Sequence, residues 1–156
     1  MAASVRQLIY SKLVSRLESI GVSAGYTNNV RVYETWKDCW NSDYPVAISV
    51  EFGDEDTDVE KWTLGSHGGG PVAVELVINI LVRGDGSPSG IMSLANSALQ
   101  DVRNAIMANL DAYQTNTGAH FAALGTVTTD QGILSFEDKV LFTQPVVFKY
   151  NAGPTW

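Results

Sequence analysis

Cysteine is nearly absent from this chain of 156 residues: Cys39 is the single one. An intrachain disulfide needs two cysteines and a thiolate metal site needs several, so neither can form within this sequence. That composition agrees with a reducing compartment. Histidine is almost as scarce, with His67 and His120 alone. Neither stands at ligand spacing from another ligand-type residue, and no nucleophile-elbow motif accompanies them. Basic residues number 10 against 17 acidic ones, giving a formal net charge of -7. The ten are scattered, whereas phosphate binding needs clustered Lys and Arg, so the chain reads as a poor nonspecific nucleic-acid binder. Anionic membrane surfaces are disfavoured for the same reason. Long apolar runs are missing too. The longest, residues 76–82, is interrupted by Asn79 and falls far short of the ~20 residues a membrane span requires. The start of the chain lacks the basic stretch followed by an apolar one that a signal peptide needs. These absences predict a soluble protein that acts where it is made, is not an enzyme and takes no metal or cofactor.

What remains is an ordinary globular composition, 45% hydrophobic and 17% charged. The length predicts one domain over residues 1–156, long enough to bury roughly 70% of its unfolded surface. The low charge points to surface covered by other chains, because interface cores are depleted in charge. Residues 4–20 read as a helix with Val5, Leu8, Ile9, Leu13, Leu17 and Ile20 on one face. Ser4 is placed as N-cap and Gly21 as the stop. Arg6, Lys12, Arg16 and Glu18 then face solvent. Residues 30–33 suggest a short strand. Trp36, Trp40 and Tyr44 fall in a loop, either as a small apolar core beneath it or as interface anchors, since Trp and Tyr bury large area at low entropy cost. Cys39 between the tryptophans reads as a small buried hydrophobe.

Residues 45–52 alternate, with Val46, Ile48, Val50 and Phe52 on one side, which is the pattern of a half-buried strand. An acidic loop, 53–60, a second strand, 61–65, and a glycine-rich connection, 66–71, lead to a long alternating strand, 72–83. Both faces of that strand are partly apolar, which predicts a central position. A loop, 84–90, precedes a helix reaching about Leu110, with Ser87–Pro88 as its start. Ile91, Leu94, Ala95, Ala98, Leu99, Val102, Ala105 and Ile106 form its core stripe, with Asp101, Arg103 and Asn104 opposite. Residues 113–120 read as polar linker, 124–129 as a strand, 131–132 as a turn and 133–136 as a short partner strand. The last strand, 139–150, is interrupted by Pro145, which predicts an edge position or a bulge. Residues 151–156 read as a tail. The fold class is therefore α+β: a mainly antiparallel sheet, two amphipathic helices on one face, and a hairpin with an acidic tip.

Two segments invite chemistry. Asp54, Glu55, Asp56, Asp58 and Glu60 supply the oxygen ligands calcium prefers, yet Val59 occupies the position where an EF-hand loop needs glycine, and Gly65 the position of its bidentate glutamate. A solvated hairpin tip or a subunit contact is the better reading. The glycine-rich stretch around His67, Gly68 and Gly69 could suggest a phosphate loop. Phosphate loops converge backbone N–H groups at a helix N-terminus, and here a strand follows, with no Lys-Ser/Thr pair. Glycine then serves a hairpin connection.

The order helix, short strand, acidic-tipped hairpin, long strand, helix, terminal strands resembles the tail terminator (tail completion) proteins of long-tailed bacteriophages across nearly the whole chain. The landmarks are Tyr44–Pro45, Gly53–Asp54–Glu55, Leu64–Gly65, Leu81–Val82–Arg83–Gly84 and the terminal run Pro145 to Tyr150. Residues 66–71 depart from the family, whose members often carry basic residues there. The resemblance implies a structural virion protein of the tail or neck, assembled in the host cytoplasm. It implies a homo-oligomeric ring, commonly a hexamer, that caps the tail tube protein, ends tube growth and presents the surface for the head–tail connector. DNA would meet it only in transit, and no membrane is involved. The candidate interface or lumen residues are Trp36, Trp40, Asp54, Glu55, Asp56, Asp58, Glu60, His67, Gly68 and Gly69. Two other readings stand beside this one. One is another neck or tail protein, either a head–tail joining protein or a tube subunit. The other is a small ligand-binding module, which would need a deep pocket with convergent polar groups.

Overall fold

The computed structural model describes residues 3–57, 70–84, 90–130 and 139–152. The chain begins with helix α1 (Val5–Glu18), where the Ser4 hydroxyl accepts the Gln7 N–H at 3.1 Å as the expected N-cap. Ile9, Leu13 and Leu17, one turn apart, are fully buried, whereas Leu8 is 37% exposed, because it lies 100° around the helix from Ile9. The helix ends before Gly21, at a Ser19 cap whose hydroxyl donates to the Arg16 carbonyl at 2.6 Å. A short 3-10 turn, Val22–Ala24, leads to strand β1 (Arg31–Tyr33). Next comes helix α2 (Trp36–Asn41), where the sequence suggested a loop. The missed signal is Thr35, whose hydroxyl accepts the Asp38 N–H at 3.1 Å, a cap-and-acid pair at the spacing that starts helices.

Strands β2 (Val46–Thr57) and β3 (Gly70–Arg83) follow, then helices α3 (Gly90–Met107) and α4 (Asp111–Thr117). Strands β4 (His120–Leu124), β5 (Thr128–Asp130) and β6 (Lys139–Ala152) complete the described chain. The six strands form one sheet in the order β1-β2-β3-β6-β4, with β5 also on β6. Only the β1–β2 pair is parallel. The α+β class and the central place of β3 are as the sequence indicated. Expected segments 61–65, 131–132 and 133–136, and the helix start at Ser87–Pro88, lie outside the described residues.

Four expectations are corrected. The 113–120 stretch is not linker: most of it is α4, closed by Gly118 at φ 79°, and it buries Tyr113, whose hydroxyl donates to the Ile106 carbonyl at 2.7 Å. The expected strand 124–129 is two short strands separated by residues 125–127. Pro145 marks neither an edge nor a bulge of β6, which has β3 on one side and β4 with β5 on the other. The Pro145 carbonyl accepts the Gly125 N–H at 2.8 Å, so the missing proline N–H faces the gap between β4 and β5, where no strand needs it. Residues 151–152 are also not tail, since they pair with Pro71 and Gly70.

The core lies between the sheet and one helical layer. Val46, Ile48 and Val50, the even-numbered apolar residues of β3, and Val140, Phe142, Val146 and Phe148 meet α1, α3 and α4. Ala95, Ala98 and Ala105 on α3 are buried, and their small size lets the helix approach the strands closely. Truncating any of the large buried residues would cost about 2–5 kcal/mol. Asp101, expected on the solvent side of α3, is only 3% exposed. Its carboxylate accepts the Thr27 N–H (3.1 Å), the Asn28 N–H (2.8 Å) and the Asn28 side-chain amide (3.0 Å). This pins the segment leading into β1. Arg16 is likewise not solvated: it donates to the carbonyls of Ile106 (3.2 Å), Ala108 and Asn109 (2.7 Å), and its guanidinium lies 3.9 Å from the centre of the Tyr113 ring.

Candidate interaction surfaces

The described part of the acidic segment is strand, where a loop was expected from Gly53. Asp54, Glu55 and Asp56 belong to β2 and sit where Gly53 and Asp54 together oppose the single residue Glu75, between the pairs Phe52–Leu76 and Glu55–Val74. One extra residue in a strand reverses which side each later residue faces. Glu55 is thereby carried to the helix side, 3.8 Å from Arg6, and it accepts the Tyr150 hydroxyl at 3.5 Å. Arg6 also lies over the Phe52 ring at 4.3 Å, and Tyr10 stacks on Phe52 at 5.5 Å. Burial first, then the Glu55 carboxylate beside it, pushes the Tyr150 hydroxyl above its ordinary pKa. Asp56, paired opposite Ala73, faces the other side of the sheet. Consecutive carboxylates turned to opposite faces do not converge on one ion. Asp58, Glu60, His67, Gly68 and Gly69 lie outside the described residues.

Trp36 and Trp40 stand one turn apart on α2, ring centres 5.8 Å apart. With Tyr33 and Leu141 they pack against a second, smaller core of Cys39, Ala47 and Leu81 on the face of the sheet away from the other helices. Both tryptophans stay half-buried, so the apolar core beneath them is real and part of each ring remains open. Lys139 Nζ lies 4.2 Å from the centre of the Trp40 ring. Arg83 fixes the C-terminal end of α2, donating to the carbonyls of Cys39 (3.0 Å), Trp40 (2.5 Å) and Tyr44 (3.3 Å). A cation there suits the helix dipole. The sequence offered Arg83 as a landmark but gave no sign of this role, which depends on a contact 43 residues distant. Burial pushes the Cys39 thiol up to about 11, with Arg83 and a Ser49 hydrogen bond opposing. A thiol so raised is protonated at neutral pH and a poor nucleophile.

The tryptophan pair and the acidic segment do not form one site. The pair packs at Leu81, the acids pair near Val74, and seven residues of strand separate these positions by roughly 23 Å. Beyond α2, the same sheet face carries Ser49, Asn79 and Thr143, then Glu51, Val77 and Pro145, then Glu75 and Val147, and last Ala73 and Lys149. Among the described residues, Asn79 donates to Ser49 at 3.2 Å, and nothing packs over the rest. An open pocket of about 380 Å³ lies beside Asp43, Pro45, Arg83, Gly84, Gly90 and Leu94. The Arg83 guanidinium is already committed to backbone carbonyls.

No known protein family matches the sequence, and no curated protein does. Among solved structures, the chain is similar to one titled as the sheath/tube terminator, in its extended state, of the extracellular contractile injection system PVC. Identity is 12% over 94% of this chain, and the TM-score is 0.35. The chain spans 57% of the length of that one. No described helix is long and apolar enough to cross a membrane.

Proposed function

We propose that this chain is a structural tail terminator that assembles into a ring on the last ring of a tail tube, stops its growth and offers the opposite surface to the head–tail connector. The observation that carries this reading is where the resemblance landmarks fall. Distant in sequence, four of the five lie on three neighbouring strands or at their ends, and Leu64–Gly65 lies outside the described residues. Tyr44–Pro45 opens β2, Leu81 to Gly84 ends β3, and the Arg83 N–H donates to the Pro45 carbonyl at 2.9 Å. Pro145 to Tyr150 pairs with β3 from Val77 to Val72, and Gly53–Asp54–Glu55 is the β2 bulge. Bulges re-aim side chains at sheet margins.

In this reading the work is capping, with no reaction catalysed. A contact between unlike surfaces of neighbouring copies closes by rotation into a ring. Among the described residues, the sheet edges at β1 and at β4 with β5 leave backbone donors and acceptors for neighbours. One ring face matches the tube subunit and the other cannot accept more. Asp54, exposed and without a cation among the described residues, is the better lumen candidate, because Glu55 is already engaged by Arg6 and Asp56 lies on the other sheet face. Carboxylates there would repel passing DNA. Neutralising Asp54, Glu55, Asp56 and Asp58 together, with assembly and DNA delivery unchanged, would rule out this lumen role.

The test of the whole reading is negative-stain microscopy of the purified protein, alone and mixed with the tail tube protein encoded beside it. Rings of uniform diameter, or tubes of fixed length bearing a terminal disc, are expected. A protein that neither forms rings nor binds tubes would overturn the proposal.

A further inference from the structure

The sheet is covered unequally. On one side α1, α3 and α4 form a full layer. On the other, α2 has six residues and spans only about 9 Å. Strand β3 is 14 residues long, or roughly 45 Å. From Asn79 to Ala73 the described structure places no layer over this face for about 20 Å. The surface left open is not simply polar. Val77, Pro145 and Val147 are half-buried neighbours across β3 and β6, an apolar strip in the middle of a sheet. Sheets with an apolar face bury it under a second layer.

The rim of this strip is acidic on the β2 side, while Lys149, opposite Ala73, stands beyond Val147 on the β6 side. Glu51 stands opposite Val77, Asp56 opposite Ala73, and Glu75 beside Gly53. Gly53 has no side chain, and the Glu75 carboxylate lies over it: a Cβ added there would meet Oε1 at 2.5 Å. Among the described residues none of these three carboxylates has a cationic partner, the ion pair Arg6–Glu55 being on the other face. The whole chain carries -7, so a second copy placed here would bring acid against acid. A helix fits the gap better than a strand, because it can lay an apolar stripe on the strip while flanking side chains reach the rim.

We infer that the open sheet face is a docking surface for a basic amphipathic helix of another protein. Its apolar stripe covers Val77, Pro145 and Val147, continuing the layer that α2 begins, and its flanking Lys or Arg side chains pair with Glu51, Glu75 and Asp56. The inference rests on this face alone and holds or fails independently of the capping reading.

The test uses the intact protein and a fluorescent helical peptide of about 15 residues, a length of roughly 22 Å, with a leucine stripe flanked by lysines. The same peptide with glutamates for lysines is the control. Binding is read by anisotropy, and the contacted methyl groups by NMR. The lysine peptide is expected to bind, to shift Val77 and Val147, and to weaken as salt is raised. The triple variant E51Q/D56N/E75Q should bind roughly tenfold more weakly. The variant E18Q/E34Q/D111N, which removes the same charge elsewhere, should bind as the natural protein does. Val147→Ser should weaken binding without altering its salt dependence. Equal loss in both charge variants would mean nonspecific attraction to an acidic protein and overturn the inference. So would equal binding of the glutamate peptide, unshifted Val77 and Val147, or sedimentation showing a dimer that Val147→Ser dissolves, since that would place a second copy on the face.

Discussion

Replacing Asp101 by alanine should be among the most damaging single changes available at a polar position. The side chain is 3% exposed and accepts three hydrogen bonds from the segment before β1. Removing it leaves the Thr27 and Asn28 backbone N–H groups without acceptors, while the Asn28 amide keeps its bond to Ser97 at 3.0 Å. Each unsatisfied donor costs about 1–3 kcal/mol, and partial exposure of the loop lets water recover some of it, so D101A should lose about 2–4 kcal/mol. That is a large share of the ~5–15 kcal/mol that holds a domain folded. D101N keeps one acceptor oxygen but turns an N–H₂ toward a donor, and should lose about half as much. Asn28→Ala removes only side-chain bonds and should cost about 0.5–1.5 kcal/mol. Urea unfolding is the assay: the midpoint should fall with the slope unchanged, and hydrogen exchange at Thr27 and Asn28 should speed up selectively. A D101A midpoint within ~0.5 kcal/mol of the natural protein would mean that Asp101 does not hold this segment, and the reasoning would fail.

Two glycines should respond differently to alanine. A Cβ at Gly125 would stand 2.8 Å from the Pro145 ring, which cannot move aside, so G125A should cost about 1–3 kcal/mol. At Gly53 the obstacle is the mobile end of Glu75, so thermal melts should show G53A less affected. Cys39 is neutral in the fold up to about pH 11 but ionises from about 9.0 when unfolded. Its contribution to stability is therefore complete below pH 9 and is lost as pH rises through that window, and iodoacetamide at pH 8 should label it only at the rate of unfolding. Arg16→Ala should destabilise the α3–α4 corner by about 2–3 kcal/mol, and Arg16→Lys should restore little, because one ammonium cannot reproduce the fork that meets several carbonyls. Equal melting temperatures for the lysine variant and the natural protein would argue against that geometry.

Periodicity made the long elements legible. The alternation of residues 72–82, the stripe on α3 and the Ser4 cap of α1 all report a local rule, the turn of a helix or the pleat of a strand, that holds wherever the segment sits. Short elements escaped for the opposite reason. Helix α2 has six residues and α4 has seven, too few for a period to repeat, and each is held by what it lies against: Arg83 at the end of α2, and Arg16 with the apolar core around Tyr113. Asp101 and Arg16 looked solvated because a single helix places them outward, and only the segments folded over them make them interior.

The candidate sites divide in the same way. Composition by itself determined that the surface is acidic, that thiol chemistry is confined to one residue, and that Trp36 and Trp40 are large rings needing a partner surface. Tertiary structure decided where those groups act. One extra residue in β2 reversed its later side chains and sent Glu55 to Arg6 while Asp56 faced the open side. Strand register put Glu51, Val77 and Pro145 in one row from three distant parts of the chain. Local sequence specifies the direction of a side chain relative to its own backbone. Which neighbours it meets depends on pairings between residues far apart in the chain, and those exist only once the sheet has formed.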